Sequence, residues 1–217
     1  MLKEGLIGLK ELLLKESYNV NEMLKHSYEA FLNKDRAMLN HIIHEKEDVI
    51  NQSEMKIDEK CIELVALHQP AAKELREIMM HMKINNDLER VADLVTSISD
   101  SIIYLIGTPC DKFNDNINKI FKETMQMLED SIRAIADHDI HLAEDIMLRD
   151  NKVDDLRDEN LRQAIAYMGQ HSDEIEGGLH VLRIARSLER IADLCTNIAE
   201  DVLYIEKAIN IKHQFSQ

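Results

Sequence analysis

Leu88-Glu-Arg-Val-Ala-Asp-Leu94 recurs as Leu188-Glu-Arg-Ile-Ala-Asp-Leu194, 100 residues further along, and this repetition decides the architecture. The match continues without a gap: Thr96 pairs with Thr196, Ile98 with Ile198, Asp100 with Glu200, Ile102 with Val202 and Tyr104 with Tyr204. A motif repeated at nearly half the length of a 217-residue chain points to two copies of one unit, each of ordinary domain size.

Working outward from the motif, Leu88, Val91, Val95, Ile98, Ile102 and Leu105 alternate spacings of three and four. So do Leu188, Ile191, Cys195, Ile198, Val202 and Ile205, which is the seam of a helix in a bundle. Breakers divide each half alike. The apolar pattern pauses at Asn33 to Asp35 and again at Asp137 to Asp139. Gln69-Pro70 supplies a proline suited to the first turn of a helix, Gly107-Thr108-Pro109 ends that helix, and Gly169 to Ser172 marks the last turn. The spacing predicts six helices, at 3–32, 36–67, 71–106, 112–136, 140–168 and 173–211. The expected fold is all-α, two tandem three-helix bundles at 1–107 and 108–217.

Composition agrees. Six Gly, two Pro, no Trp and few aromatics beside abundant Leu, Ile, Ala, Met and charged residues are what long helices need, and a sheet protein would show the reverse. The net charge of −15 and the lack of a dense Lys/Arg run argue against nucleic acid as a partner. The longest stretches free of charged side chains, Ser101 to Cys110 and Gln163 to Ser172, fall far short of the about 18 residues that cross a bilayer. Three widely spaced cysteines without a C-x-x-C pair are neither a disulfide framework nor a thiolate site, and Cys195 reads as a small buried hydrophobe. The start of the chain reads as an amphipathic helix and not a signal peptide.

At 100° per residue, Glu89 and Asp93 lie across the helix from its seam, with Asp100 on the same stripe. The second copy repeats the stripe as Glu189, Asp193 and Glu200, and Asn197 adds an amide oxygen where the first copy has Ser97. Asp150 and Asp154 form a further i, i+4 pair on the neighbouring helix, matched in the first copy by Glu47 and Asn51 once one residue is absorbed at the turn. Clustered carboxylates suit hard cations or iron, although such a stripe is also the ordinary solvated face of a helix. None of the ten histidines follows a Glu by three residues, and His41 and His44 read as surface positions, so a di-iron oxidase is disfavoured. With no His-Glu-x-x-His, glycine-rich phosphate loop or Gly-x-Ser-x-Gly elbow, the chain reads as a non-enzyme.

With these motifs in hand, the chain resembles the PhoU family of phosphate-uptake regulators along essentially its whole length. Gln69-Pro-Ala-Ala-Lys-Glu-Leu-Arg76 looks like that family's Gln-Pro-x-Ala-x-Asp-Leu-Arg segment, with Glu74 where Asp is usual. Both copies of the Glu-Arg-x-Ala-Asp motif follow in the family's order. The resemblance implies a cytoplasmic, dimer-capable regulator that restrains a Pst-type phosphate ABC transporter, through its ATPase subunit, and holds a phosphate-responsive sensor histidine kinase off. It also implies metal ions on the acidic faces, iron clusters foremost, with zinc, nickel, magnesium or calcium as other identities. The implied ligands are Glu89, Asp93, Glu189, Asp193, Asp150 and Asp154, with Glu47 and Asn51 in a thinner first site, and Asp100, Asn197 and Glu200 as additional donors. Two alternatives carry over with the fold: an accessory module of a sodium-phosphate cotransporter or other transporter, and a helical adaptor without metal.

Overall fold

In a computed structural model, residues 1–108 and 113–207 are described, with the backbone alone at 45–48 and 114. The helices are α1 (Leu2–Asn33), α2 (Arg36–His41), α3 (Glu47–His68), α4 (Ala72–Leu105), α5 (Asn114–Asp137), α6 (Ile140–Met168) and α7 (Ile175–Lys207). A π-helical turn, Ile42–Lys46, joins α2 to α3 without a break, so the chain forms six rods, and no strand occurs among the described residues.

The two hairpins start alike because the sequence makes the same turn twice. Lys34 and His138 each take the left-handed conformation (φ 55° and 53°). Asp35 and Asp139 then cap the following helix, Asp35 Oδ1 accepting from the Ala37 and Met38 amides and Asp139 Oδ1 from those of His141 and Leu142. Gly107, at φ 97°, closes α4 as expected, since a side chain is strained there. Pro109, Cys110 and Lys112 lie outside the described residues, as does the stretch to Ile211 assigned above to the last helix. Elsewhere the described helix ends fall within two residues of those expected; α4 begins after Ala71, leaving Pro70 just outside it, and α7 begins at Ile175.

The π turn corrects one expectation. Capping aligns Arg36 with Ile140, an offset of 104, whereas pairing Glu47 with Asp150 needs an offset of 103. The extra residue of the first copy sits inside the helix, in the wider π turn at Ile42–Lys46, and not in the loop before it.

Within the first copy α1, α3 and α4 pack together, and within the second α5, α6 and α7. Both seams are buried: Leu88, Val91, Val95, Ile98 and Ile102 on α4, and Leu188, Ile191, Cys195, Ile198, Val202 and Ile205 on α7, with Leu105 packed at the edge. The copies are fused side by side, α4 against α7 and α1 against α5, over one continuous core. Phe121 of α5 is fully buried against Tyr28 and Phe31 of α1, with ring centroids 5.2 and 5.9 Å away. Between α4 and α7, Lys83 pairs with Asp201 and the Tyr104 ring stacks on His180, so the helices run antiparallel. That register brings the motif alanines, Ala92 and Ala192, to its midpoint, both buried. The fused pair therefore has an approximate two-fold axis through the repeated motif.

Candidate metal-binding faces

Glu189 and Asp193 of α7 border a groove of about 520 Å³ facing α6, lined also by Arg157, Leu161, Leu182, Ala185, Arg186 and Arg190. Asp193 is exposed, as the helical projection places it, whereas Glu189 is drawn inward, its side chain keeping only 16% of its exposure. Arg157 of α6 stands among the acids, 2.9 Å from Glu189, 3.1 Å from Asp154 and 3.1 Å from Asp158.

Crowding leaves a signature on these groups. Partial burial, then the neighbouring Asp193 and Asp154, push Asp150 up to about 6. Burial, then Asp193, raises Glu189 against the pull of Arg157, and burial, then Asp154, raises Asp193. Arg149, next to Asp150, does not relieve the repulsion, because it turns to Glu123 and Asp130 of α5, 2.8 Å from each. Four carboxylates that repel one another are the donor chemistry of a hard cation. Among the described residues, however, no three Asp, Glu, His or Cys side chains converge as the ligands of one ion, and Arg157 supplies the positive charge.

The first copy is more acidic in the same place. The Glu47 side chain lies outside the described residues, and Asn51 is exposed on α3. One turn and two turns beyond Asn51 on the same stripe come Glu54 and Asp58, an i, i+4 pair that the sequence reading passed over. Burial, then Asp58 and Asp93, raise Glu54 above its ordinary value, which places it within electrostatic reach of the motif. By the 103-residue offset, Glu54 occupies the position of Arg157. Asn85 steadies this wall of α3, its amide donating to the Glu54 carbonyl and to Asp58 Oδ1, each at 3.1 Å. Behind it, Glu16 of α1 is fully buried, neither carboxylate oxygen completing a hydrogen bond, and burial pushes it up to about 7 against the pull of the Ser53 hydroxyl.

Of the additional donors, Asp100 is exposed and Asn197 and Glu200 half-buried, and no hydrogen bond or ion pair among the described residues draws them to the acids. His41 and His44 are exposed as expected. His81 is buried beside Lys10 and His138, and burial pushes it down to about 4. Cys61 and Cys195 are free and buried, each thiol pushed up to about 12, mainly by burial, which leaves them unreactive. No described helix is long and apolar enough to cross a membrane.

The PhoU domain model matches this chain twice, over residues 13–102 and 117–202, which are the two packed units. The chain belongs to the PhoU family. It is 32% identical to the phosphate-specific transport system accessory protein PhoU of Escherichia coli (strain K12), over 89% of this chain and 80% of the relative. It is 34% identical to the PhoU homolog of Aquifex aeolicus (strain VF5), over 94% and 92% respectively. Among solved structures it is similar to the crystal structure of PhoU from Pseudomonas aeruginosa, with TM-score 0.91, 29% identity, and 96% of this chain and all of that one covered. The six-rod, two-copy architecture is thus the PhoU fold, and both acidic faces lie within the two matched domains.

Proposed function

We propose that this chain is a non-enzymatic regulator of phosphate uptake and phosphate signalling. It works in the cytoplasm, as a homodimer, by contact with the ATPase subunit of a phosphate ABC transporter and with a phosphate sensor histidine kinase. The observation that supports this most is the match of both copies, over most of the chain, to accessory proteins of the phosphate-specific transport system. Two units, at 1–107 and 108–217, present the acidic faces on one fused body. Glu189, Asp193, Asp150 and Asp154 are the donors for a metal ion in the second, which must displace Arg157 and draw them together, with Glu89, Asp93, Glu47 and Asn51 the set in the first, and Asp100, Asn197 and Glu200 at the margins. A cation bound there, iron foremost, neutralises the repelling carboxylates and stiffens the face presented to a partner.

Two measurements test this reading. Removing the gene from its host should release a phosphate-starvation reporter in phosphate-rich medium, and the intact gene should restore repression. Unchanged reporter activity would refute the regulatory role. Mass spectrometry of untagged protein should find metal that the Glu189→Ala/Asp193→Ala variant loses. Metal absent from both after reconstitution would leave the acidic faces as protein-contact surfaces.

A further inference from the structure

On the other side of α7, between it and α4, lies a second groove, of about 490 Å³, lined by Arg90, Arg183, Arg186, Arg190, Asp93, Leu94, Ser97 and Ser187. Four guanidiniums face one carboxylate here, in a protein whose net charge is −15. Arg90 lies 3.3 Å from Asp87. Arg183, Arg186 and Arg190 make no ion pair or hydrogen bond among the described residues. Glu189 and Asp193, one turn from Arg186 and Arg190 on α7, draw on those charges only through space.

The repeat supplies an internal control. Across the approximate two-fold axis, Arg183 corresponds to Lys83, which is neutralised by the buried Asp201. The residue corresponding to Asp201 is Ser101, whose hydroxyl donates to the Ser97 carbonyl of its own helix at 3.1 Å. Arg186 corresponds to Asn86 and Ser187 to Asp87. On one side of the axis the cation has its acid, and on the other the acid is replaced and further arginine is added. A guanidinium left without a carboxylate offers a planar fork of donors suited to phosphate oxygens.

We infer that the groove between α4 and α7 binds a multiply charged phosphate anion, held by Arg183, Arg186 and Arg190 with Arg90 at its edge. The chemistry suits both free orthophosphate and the phosphate tail of a nucleotide. The groove shares Asp93, Arg186 and Arg190 with the acidic faces, but its anion needs no metal there and does not rest on the regulatory reading.

Isothermal titration calorimetry on the full chain, stripped of metal by chelation and dialysis, tests this with orthophosphate and ATP as probes. The expected result is one saturable site per chain for at least one probe. Tighter binding of ATP assigns a nucleotide tail, and tighter binding of orthophosphate assigns the free anion. Affinity should fall at least about tenfold in Arg183→Ala/Arg186→Ala. It should fall likewise in Ser101→Asp, which rebuilds the pairing seen at Lys83. It should be unchanged in Arg162→Ala, which removes an exposed arginine of α6 outside the groove. Absence of binding by either probe, affinity unaltered in both groove variants, or an equal loss in Arg162→Ala would overturn the assignment.

Discussion

The two copies bury the same seam and turn on the same capped aspartates, yet they handle crowded carboxylates in opposite ways. In the second copy Arg157 reaches from α6 into the acidic face and pairs with Asp154, Asp158 and Glu189. In the first, the same position is Glu54, which adds to the repulsion around Asp93. Deeper in, the second copy packs the apolar Ile120 where the first, by the 104-residue offset of its capped turns, buries the carboxyl of Glu16. A duplicated fold can therefore keep its helices and seams while one copy sets an arginine among its acids and the other adds a further carboxylate. Charge is the freer variable because a helix face tolerates its reversal better than a seam tolerates a cavity.

The comparison breaks most severely at the layer the copies share. Phe121→Ala should cost about 3–5 kcal/mol in chemical denaturation, because it empties the contact with Tyr28 and Phe31 on which both bundles rest. If each bundle instead stood alone, the loss would fall on the second bundle only and unfolding would split into two steps.

Glu16→Ile, which copies Ile120, should stabilise the protein by roughly 2–4 kcal/mol at pH 8. The gain should shrink toward pH 5. Glu16 titrates at about 7 when folded, above the ordinary carboxylate, so the folded state retains a proton that the unfolded state has released. Its favourable contribution is full at low pH and is lost as pH rises through about 7; Asp150, at about 6, acts in the same sense. Denaturation midpoints of both proteins across that range check the sign.

Exchanging the cations should sharpen the contrast at the acidic faces. Arg157→Ala should tighten metal binding to the second face about tenfold, and Glu54→Arg should weaken the first by a similar factor. Competition with a chelating dye reads both. The smallest effect tests sameness: Asp35→Ala and Asp139→Ala should each cost about 1 kcal/mol, because the two caps make the same pair of hydrogen bonds.

Much of the fold was legible in the residues. The repeat, the seams from Leu88 and Leu188, the turns at Asn33 to Asp35 and Asp137 to Asp139, and the close at Gly107 are all local patterns, set by periodicity and by backbone preference. The π turn was not, because an inserted residue carries no mark saying whether a loop or a helix absorbs it. The acidic motif was readable as a stripe on one helix. Its surroundings were not: Arg157, Glu54 and Asp58 bear on it from neighbouring helices, and which side chain crosses a groove depends on helix rotation. Least legible were the arginines between α4 and α7, separated by up to a hundred residues in the chain and gathered only by the packing of the two copies.

That packing has a consequence for how the molecule could diversify. Two identical subunits meeting across a dyad must present the same residue on both sides, so a lysine facing an aspartate on one flank repeats that pair on the other. Covalent fusion lifts the obligation. Here Lys83 faces Asp201 while Arg183 stands level with Ser101, a broken symmetry that no homodimer of the single repeat could encode. The join at Ala92 and Ala192 preserves the geometry of a dimer and frees its two flanks to specialise independently.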